Sequence, residues 1–423
     1  MIRFYNGSYL SFSDGAASIQ QGEVWTDGGR IVYVGKPTDG KGQFSRQIDL
    51  KGDLLIPGFK DAHTHTAMTF LRSFADDMPL DSWLATQVWP NEAKLTEEAV
   101  YNFTQLGIME YLAGGITASF DMYVKNEAYA KANIDAGFRT VICSGLNNFD
   151  ADPENIEREY LRFNSLDPLI SYRLGIHAEY TTSMERMEYM ASLAEKYAQP
   201  CYMHCAETKN EVDGCIERYG LTPPQLLERV GLFRYGGGGF HCTWMSDEDI
   251  ALFAKKKLWA ITNPASNLKL ASGIAPICRM QRSGVPIAIG TDGAASNNAL
   301  DMFREMYLVS VLQKYIEQDA AACSADKVLE MACVGGARAM GLDNCDDIAA
   351  GKAADLVIIS LDSPNMQPLN NICKNLVYAG SRANVRLTMV NGKVLYEDGQ
   401  FFIGEESERI YAQANDFVRR LRA

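Results

Sequence analysis

Histidine is scarce in this chain. Among 423 residues there are only five: His63, His65, His177, His204 and His241. Each sits in a short stretch that reads as the end of a β-strand, so none is left over for the surface. Basic residues are outnumbered as well, 40 Lys plus Arg against 53 Asp plus Glu, for a net charge of −13. Such an acidic chain lacks the electrostatic footprint for nucleic acid or an anionic membrane, and a small-molecule partner is expected instead. No apolar run approaches the ~18 residues of a membrane span. The start, Met1-Ile2-Arg3-Phe4-Tyr5-Asn6-Gly7, has no long apolar stretch behind a basic segment, so no signal peptide is expected. The ten cysteines are scattered singly, several of them within apolar strands, such as Cys143, Cys201 and Cys242. That distribution argues against a disulfide framework and suits reduced core residues in a cytoplasmic enzyme.

What is present is ample apolar material, 47% of the residues. The length alone suggests two or three domains, but one α/β barrel can occupy most of such a chain. Up to about Leu50 the pattern is short strands and turns, with Gly28-Gly29 turning between two of them. From Leu54 apolar strands alternate with helical stretches, near 54–63, 116–121, 140–146, 172–178, 200–205, 238–242, 258–262 and 286–291. Eight such units predict an α/β fold with a (β/α)8 TIM barrel over residues 56–343. Strand patterns return in Ala354–Ile359 and Val385–Leu395, where Asn391-Gly392 is a hairpin signal. Residues 1–55 and 344–423 are therefore expected to join in a small discontinuous β-sandwich domain.

In this layout all five histidines and Asp292 fall at the C-terminal ends of strands 1, 4, 5, 6 and 8, the face on which barrel active sites lie. His63 and His65 are two apart on a strand and so share a face. A lone histidine in an apolar strand is by default a satisfied core residue. Here His63, His65, His204 and Asp292 converge on one barrel face, which points to a metal. Three imidazoles and a carboxylate suit one divalent ion, Zn²⁺ first and Fe²⁺ as the alternative, with room for a water. An ion there lowers the pKa of that water from about 15.7 toward ~7. Glu207, three residues after His204, is placed to reach a substrate without ligating the ion, although the plainer reading is a solvated loop carboxylate.

These residues, in this order, resemble the amidohydrolase superfamily over essentially the whole chain. Longer strings narrow the likeness: Phe70-Leu71-Arg72-Ser73-Phe74-Ala75-Asp76-Asp77, Trp89-Pro90-Asn91-Glu92-Ala93-Lys94-Leu95-Thr96, the run from Asn263-Pro264-Ala265-Ser266-Asn267 to Gly273, and the run from Gly290-Thr291-Asp292 to Asn298. They are similar to the branch of 5-methylthioadenosine and S-adenosylhomocysteine deaminases, kin of triazine chlorohydrolases and guanine deaminases. The resemblance implies hydrolytic removal of an amino group from an adenosine-type nucleoside. In it Glu207 gives a proton to the purine ring nitrogen and then to departing ammonia, work contributing typically ~10² to 10⁴-fold. His241 would hydrogen-bond the attacking hydroxide or the developing oxyanion, and Asp292 would accept a proton while serving as a ligand. His177 would contact the heterocycle, Trp83 stack on the base and Glu92 accept from ribose hydroxyls. Trp83 reads equally well as one face of an amphipathic helix with Leu80 and Leu84. Binuclear relatives place a carboxylated lysine where this chain has His177, and no lysine lies between Lys131 and Lys196, so a single metal is expected. Barrel enzymes with this appended β-domain are often homo-oligomers, and a homo-oligomer is expected here.

Two departures bear on the substrate. S-adenosylhomocysteine deaminases usually carry an arginine just before the Gly-Leu that ends strand 3, where this chain has Ser144. Loss of that charge-assisted contact removes roughly 1.5 to 3 kcal/mol unless Arg139 or Arg158 substitutes. Glu179 stands where the family commonly has proline and would add negative charge near the site. Both favour a neutral substrate: 5-methylthioadenosine, 5′-deoxyadenosine or adenosine. The rival readings are a guanine, pterin or triazine hydrolase on the same scaffold and, from a different class, a catalytically silent ligand-binding barrel.

Overall fold

The computed structural model describes residues 1–12, 15–38, 42–149 and 152–422. Strands β1 (Ile2–Ser11), β2 (Ser18–Asp27), β3 (Arg30–Gly35), β4 (Arg46–Asp49) and β5 (Leu54–Pro57) come first. The next eight are β6 (Phe59–Thr64), β7 (Ile116–Asp121), β8 (Arg139–Cys143), β9 (Ile170–Ala178), β10 (Cys201–Cys205), β11 (Gly237–His241), β12 (Trp259–Thr262) and β13 (Ile287–Ile289). Strands β14 (Leu356–Ile359), β15 (Val385–Val390), β16 (Lys393–Glu397) and β17 (Gln400–Phe401) close the chain, followed by a helix over Ser407–Arg422.

Strands β6 to β13 pair in sequence order, all parallel, with helices between them. This is the nearly closed (β/α)8 barrel. The remaining strands form one nine-stranded mixed sheet from both ends of the chain, joined where β5 pairs antiparallel with β14. The sheet curls so that the turn between β2 and β3 meets the segment leading into β14 and the turn between β15 and β16. The Ala354 N–H donates to the Gly29 carbonyl at 2.8 Å and the Gly392 N–H to the Ala354 carbonyl at 2.9 Å. At Gly392 the backbone is left-handed (φ +76°) and a Cβ would lie 1.7 Å from the Gly28 carbonyl oxygen, so the Asn391-Gly392 turn admits no larger residue. Phe4, Val24, Ile31, Leu55, Leu356, Ile358, Leu387 and Met389 fill the space this curl encloses.

One difference from the sequence reading lies at the junction. The run 54–63 reads as a single apolar strand, but it divides at Gly58: β5 belongs to the flanking sheet and β6 to the barrel. Both halves are buried, so apolarity alone carries no sign of the break.

The two sheets are tied by a buried ion pair. Arg139, at the start of β8, donates from Nε to Asp355 Oδ2 at 2.7 Å and from Nη2 to Oδ1 at 3.1 Å. Asp355 Oδ1 also accepts from the Asn391 N–H at 2.7 Å, and the Asp355 carbonyl accepts from the Gly58 N–H at 3.0 Å. Burial raises the Asp355 carboxyl, but Arg139 outweighs it and leaves the group below its ordinary 3.8. A depressed carboxyl contributes stability that is complete above the unfolded value and is lost as pH falls through the folded one. Removing one partner of a buried pair costs about 3–5 kcal/mol, because the other charge is stranded. Arg139→Leu is therefore expected to lower stability to chemical denaturation by that amount at pH 7, with the deficit shrinking under acid conditions. Arg139→Leu combined with Asp355→Leu should recover much of it.

Candidate active site

Five short segments at the C-terminal ends of β6, β9, β10, β11 and β13 bring the five histidines and Asp292 together. His63 is fully buried and stacks on Phe240 with ring centroids 3.9 Å apart. His63 Nε2 and His65 Nε2 lie 3.7 and 3.3 Å from Asp292 Oδ1, and His204 Nε2 lies 3.4 Å from His65 Nε2. The donors form two overlapping trios, His63, His65 and Asp292, and His63, His204 and His241, each with its atoms within 4.8 Å of one another. The tautomers are fixed from behind. His65 Nδ1 pairs with the Met122 carbonyl at 2.5 Å and His204 Nδ1 with the His177 carbonyl at 2.7 Å. Each Nδ1 therefore carries the proton, and each Nε2 presents a lone pair inward.

The residues fit a metal ion on a structural ground. Both ring nitrogens of His63 are buried without a hydrogen-bond partner among the described residues, a costly arrangement for polar atoms unless a cation completes it. Burial and the neighbouring imidazoles push His63 and His204 well below the ordinary histidine value, and His177 down to about 4. These rings are neutral at pH 7, as ligation requires. Burial raises Asp292, but His65, His241 and the hydroxyls of Ser266 and Ser296 outweigh it and keep the group an anion. Those hydroxyls donate to Oδ2 at 2.5 and 2.9 Å, leaving Oδ1 toward the histidines.

Backbone strain gathers here. Ala206 (φ +52°), His241 (φ +72°), Cys242 (φ +49°) and Asp292 (φ +60°) are all left-handed, a conformation costing a non-glycine residue roughly 1–2 kcal/mol. Such residues persist where surrounding bonds over-determine them, and they cluster at functional sites. Glu207 follows Ala206 and stands with its Oε2 3.8 Å from His241 Nε2. Burial raises its carboxyl, favouring the protonated acid. On the far side, His241 Nδ1 meets Asn267 Oδ1 at 2.7 Å.

Above this floor opens a cavity of about 360 Å³. His65, His177, His204, Glu207, His241 and Asp292 line its base, and Leu80, Trp83, Leu84, Val88 and Trp89 form one wall. That wall is built by a π-helical turn over Leu84–Val88, set between helical turns that carry Trp83 and Glu92. A π-turn inside a helix commonly marks a functional site. Here it turns both tryptophans and Glu92 toward one space. Trp83 is thus at once part of the buried core, against which Leu80 and Leu84 pack, and part of the cavity lining. Glu92 lies beside the Tyr123 hydroxyl, and burial raises its carboxyl. His177 Nδ1 pairs with the Thr181 hydroxyl at 2.9 Å.

Several contacts escape sequence reasoning. Trp89 and Phe149 meet across the cavity with ring centroids 5.3 Å apart, and Tyr123 and Asn147 also line it. Ser266, Asn267 and Ser296 lie within strings quoted for the family likeness, yet nothing in a string shows which ligand each supports.

The structure also settles where the departures sit. Ser144 does not line the cavity: its hydroxyl donates to the Gly175 carbonyl at 2.8 Å and accepts from the Gly175 N–H at 2.7 Å, tying β8 to β9. Neither candidate substitute for an arginine there is available, since Arg139 holds Asp355 and Arg158 pairs with Asp152 on the surface. Glu179, expected to charge the site, is turned away by a short 3-10 helix over Glu179–Thr181 and pairs with Arg218. No Lys or Arg lines the cavity among the described residues.

Comparison with known proteins agrees with this geometry. The profile of the amidohydrolase family matches residues 54–395. A 5-methylthioadenosine/S-adenosylhomocysteine deaminase from Caldicellulosiruptor saccharolyticus is 36% identical, over 96% of this chain and 95% of its own. A 5'-deoxyadenosine deaminase from Methanothermobacter thermautotrophicus is 38% identical, over 92% and 93%. Among solved structures, an adenosine deaminase from Xanthomonas campestris with bound zinc superposes with a TM-score of 0.94 at 33% identity, covering 100% of this chain and 98% of that one. With its barrel, its histidine and aspartate cluster and relatives of this similarity along its whole length, the chain belongs to the amidohydrolase family.

Proposed function

We propose that this protein is a metal-dependent aminohydrolase that replaces the 6-amino group of a neutral 5′-substituted adenosine by oxygen, releasing ammonia. The observation that carries the reading is the cavity floor, where Glu207 and His241 face each other beside the imidazole and carboxylate donors. His63, His65, His204 and Asp292 would hold the ion, Zn²⁺ in preference to Fe²⁺. When bound, such an ion supplies Lewis-acid activation of water at neutral pH.

The chain's own groups do the rest. Glu207, its carboxyl raised by burial, delivers its proton to the ring nitrogen next to the reacting carbon, then takes the proton of the hydroxyl added at that carbon and passes it to the leaving ammonia. Asp292 takes the first proton given up by water and returns it to Glu207 once ammonia has left; the serine hydroxyls occupy its Oδ2, while its Oδ1 faces the histidines and accepts from the Gly293 N–H at 2.8 Å. His241, oriented by Asn267, donates or accepts at the oxygen as charge develops there. His177 contacts the heterocycle, Trp83 provides an apolar face for it, and Glu92 accepts from ribose hydroxyls. The wall of Leu, Val and Trp side chains suits an apolar 5′ substituent. With no Lys or Arg lining the cavity among the described residues, an amino-acid tail such as that of S-adenosylhomocysteine lacks a charged partner for its carboxylate there. Arg186 donates to the Asn147 carbonyl at 2.5 Å and is not among the lining residues.

Two tests follow. Glu207→Gln is expected to lower kcat for ammonia release by about 10² to 10⁴-fold with the metal retained, whereas unchanged kcat would remove Glu207 from the reaction. Ser266→Ala strips one hydroxyl from Asp292 and should weaken metal binding about 10-fold or more, read by competition with a chelator.

A further inference from the structure

Glu207 is followed four residues later by a second buried glutamate. The helix Lys209–Tyr219 begins at Thr208, whose hydroxyl accepts from the Glu211 N–H at 3.1 Å. The spacing Thr208-Lys209-Asn210-Glu211 is that of a capping box, in which the glutamate ordinarily reaches back to the N–H of the cap residue. Glu211 reaches further. Its Oε1 accepts from the Ala206 N–H at 2.8 Å and its Oε2 from the Glu207 N–H at 2.7 Å. The left-handed Ala206 turns these consecutive amides to one side, a concave arrangement suited to an anion. The Ala206 carbonyl is held independently by the Thr243 and Trp244 amides, at 3.0 and 2.9 Å.

The peptide that leads into Glu207 is thus gripped at both its N–H and C=O groups. Glu211 is itself buried, at 6% exposure, close to the second carboxyl of Glu207, an unfavourable place for a group whose only task is capping a helix. Thr208 already supplies that cap. We infer that Glu211 is a positioning residue for the reaction: its two oxygens fix the backbone from which the Glu207 carboxyl reaches the cavity floor. The inference rests on the reading of Glu207 as the proton donor. A displacement of about 1 Å at such a group costs on the order of 100-fold in rate.

Glu211→Gln replaces one acceptor oxygen with an NH₂ group that faces an amide N–H. The expected result is a kcat lower by about 10 to 100-fold, with KM and metal content per chain unchanged. In a Glu207→Gln background, assayed at high enzyme concentration, the same substitution should remove no further activity, because the group it positions is gone. A kcat within about twofold of wild type, or an equal loss in both backgrounds, would overturn the inference. So would a loss confined to KM or to metal content. Should Glu211→Gln fail to fold, Glu211→Asp retains the charge on a shorter stem, and an unaltered kcat in that variant overturns the inference equally. Wild type in the same assay separates the two levels. An inert wild type sinks the deaminase reading and this inference with it, while an active wild type with indifferent Glu211 variants sinks this inference alone.

Discussion

Everything at the floor of the cavity depends on how the first barrel strand meets the last. β6 and β13 approach without a regular ladder, and the gap is closed by specific groups. The Asp292 N–H donates to the His63 carbonyl at 2.9 Å. The Asp61 carboxyl accepts from the Thr291 N–H at 2.8 Å and from its hydroxyl at 2.6 Å. A Cβ on Gly290 would lie 2.6 Å from both the nitrogen and the oxygen of His63, so only glycine lets the strands come this close. The seam sets the 3.3 and 3.7 Å separations between Asp292 and the two histidines. It also ties the shape of the barrel directly to the spacing of the donors.

Around that seam the electrostatics follow from burial. His63, His177 and His204 sit where a charged ring is costly, so they stay neutral. Asp292 stays anionic because hydroxyls and imidazoles surround it, and Glu207 is driven toward its protonated form by the same low-polarity surroundings. Two carboxyl groups on one cavity floor are thereby pushed in opposite directions, the pattern by which a site separates acid from base. The apolar wall above adds no cation to disturb this division.

Much of this was legible in the sequence, for definite reasons. Barrel strands buried on both faces read as apolar runs, and seven of the eight segments coincide with observed strands to within a few residues. The exception, 54–63, hides its break because β5 and β6 are equally buried. His63, His204, His241 and Asp292 were visible because they lie at or a few residues past the C-terminal ends of apolar strands. Glu179 was misjudged because nearness in sequence to His177 says nothing about the short 3-10 helix that turns it toward Arg218. Trp89 and Phe149 were missed because they meet only through a π-helical turn and a distant loop. The partners of the donors, Ser266, Asn267 and Ser296, depend on contacts across loops, which no periodicity records.

The most direct test of the account is the ratio of kcat/KM for 5-methylthioadenosine and S-adenosylhomocysteine, measured by ammonia release from the metal-loaded protein. These substrates present the same adenosine to the floor and differ in the charged tail met by the wall. A cavity with no Lys or Arg among its described lining residues predicts a strong preference for 5-methylthioadenosine, on the order of 10-fold or more, as expected for one missing charge-assisted contact. Equal values for the two would contradict the reading of the wall, and silence on both would contradict the reading of the floor.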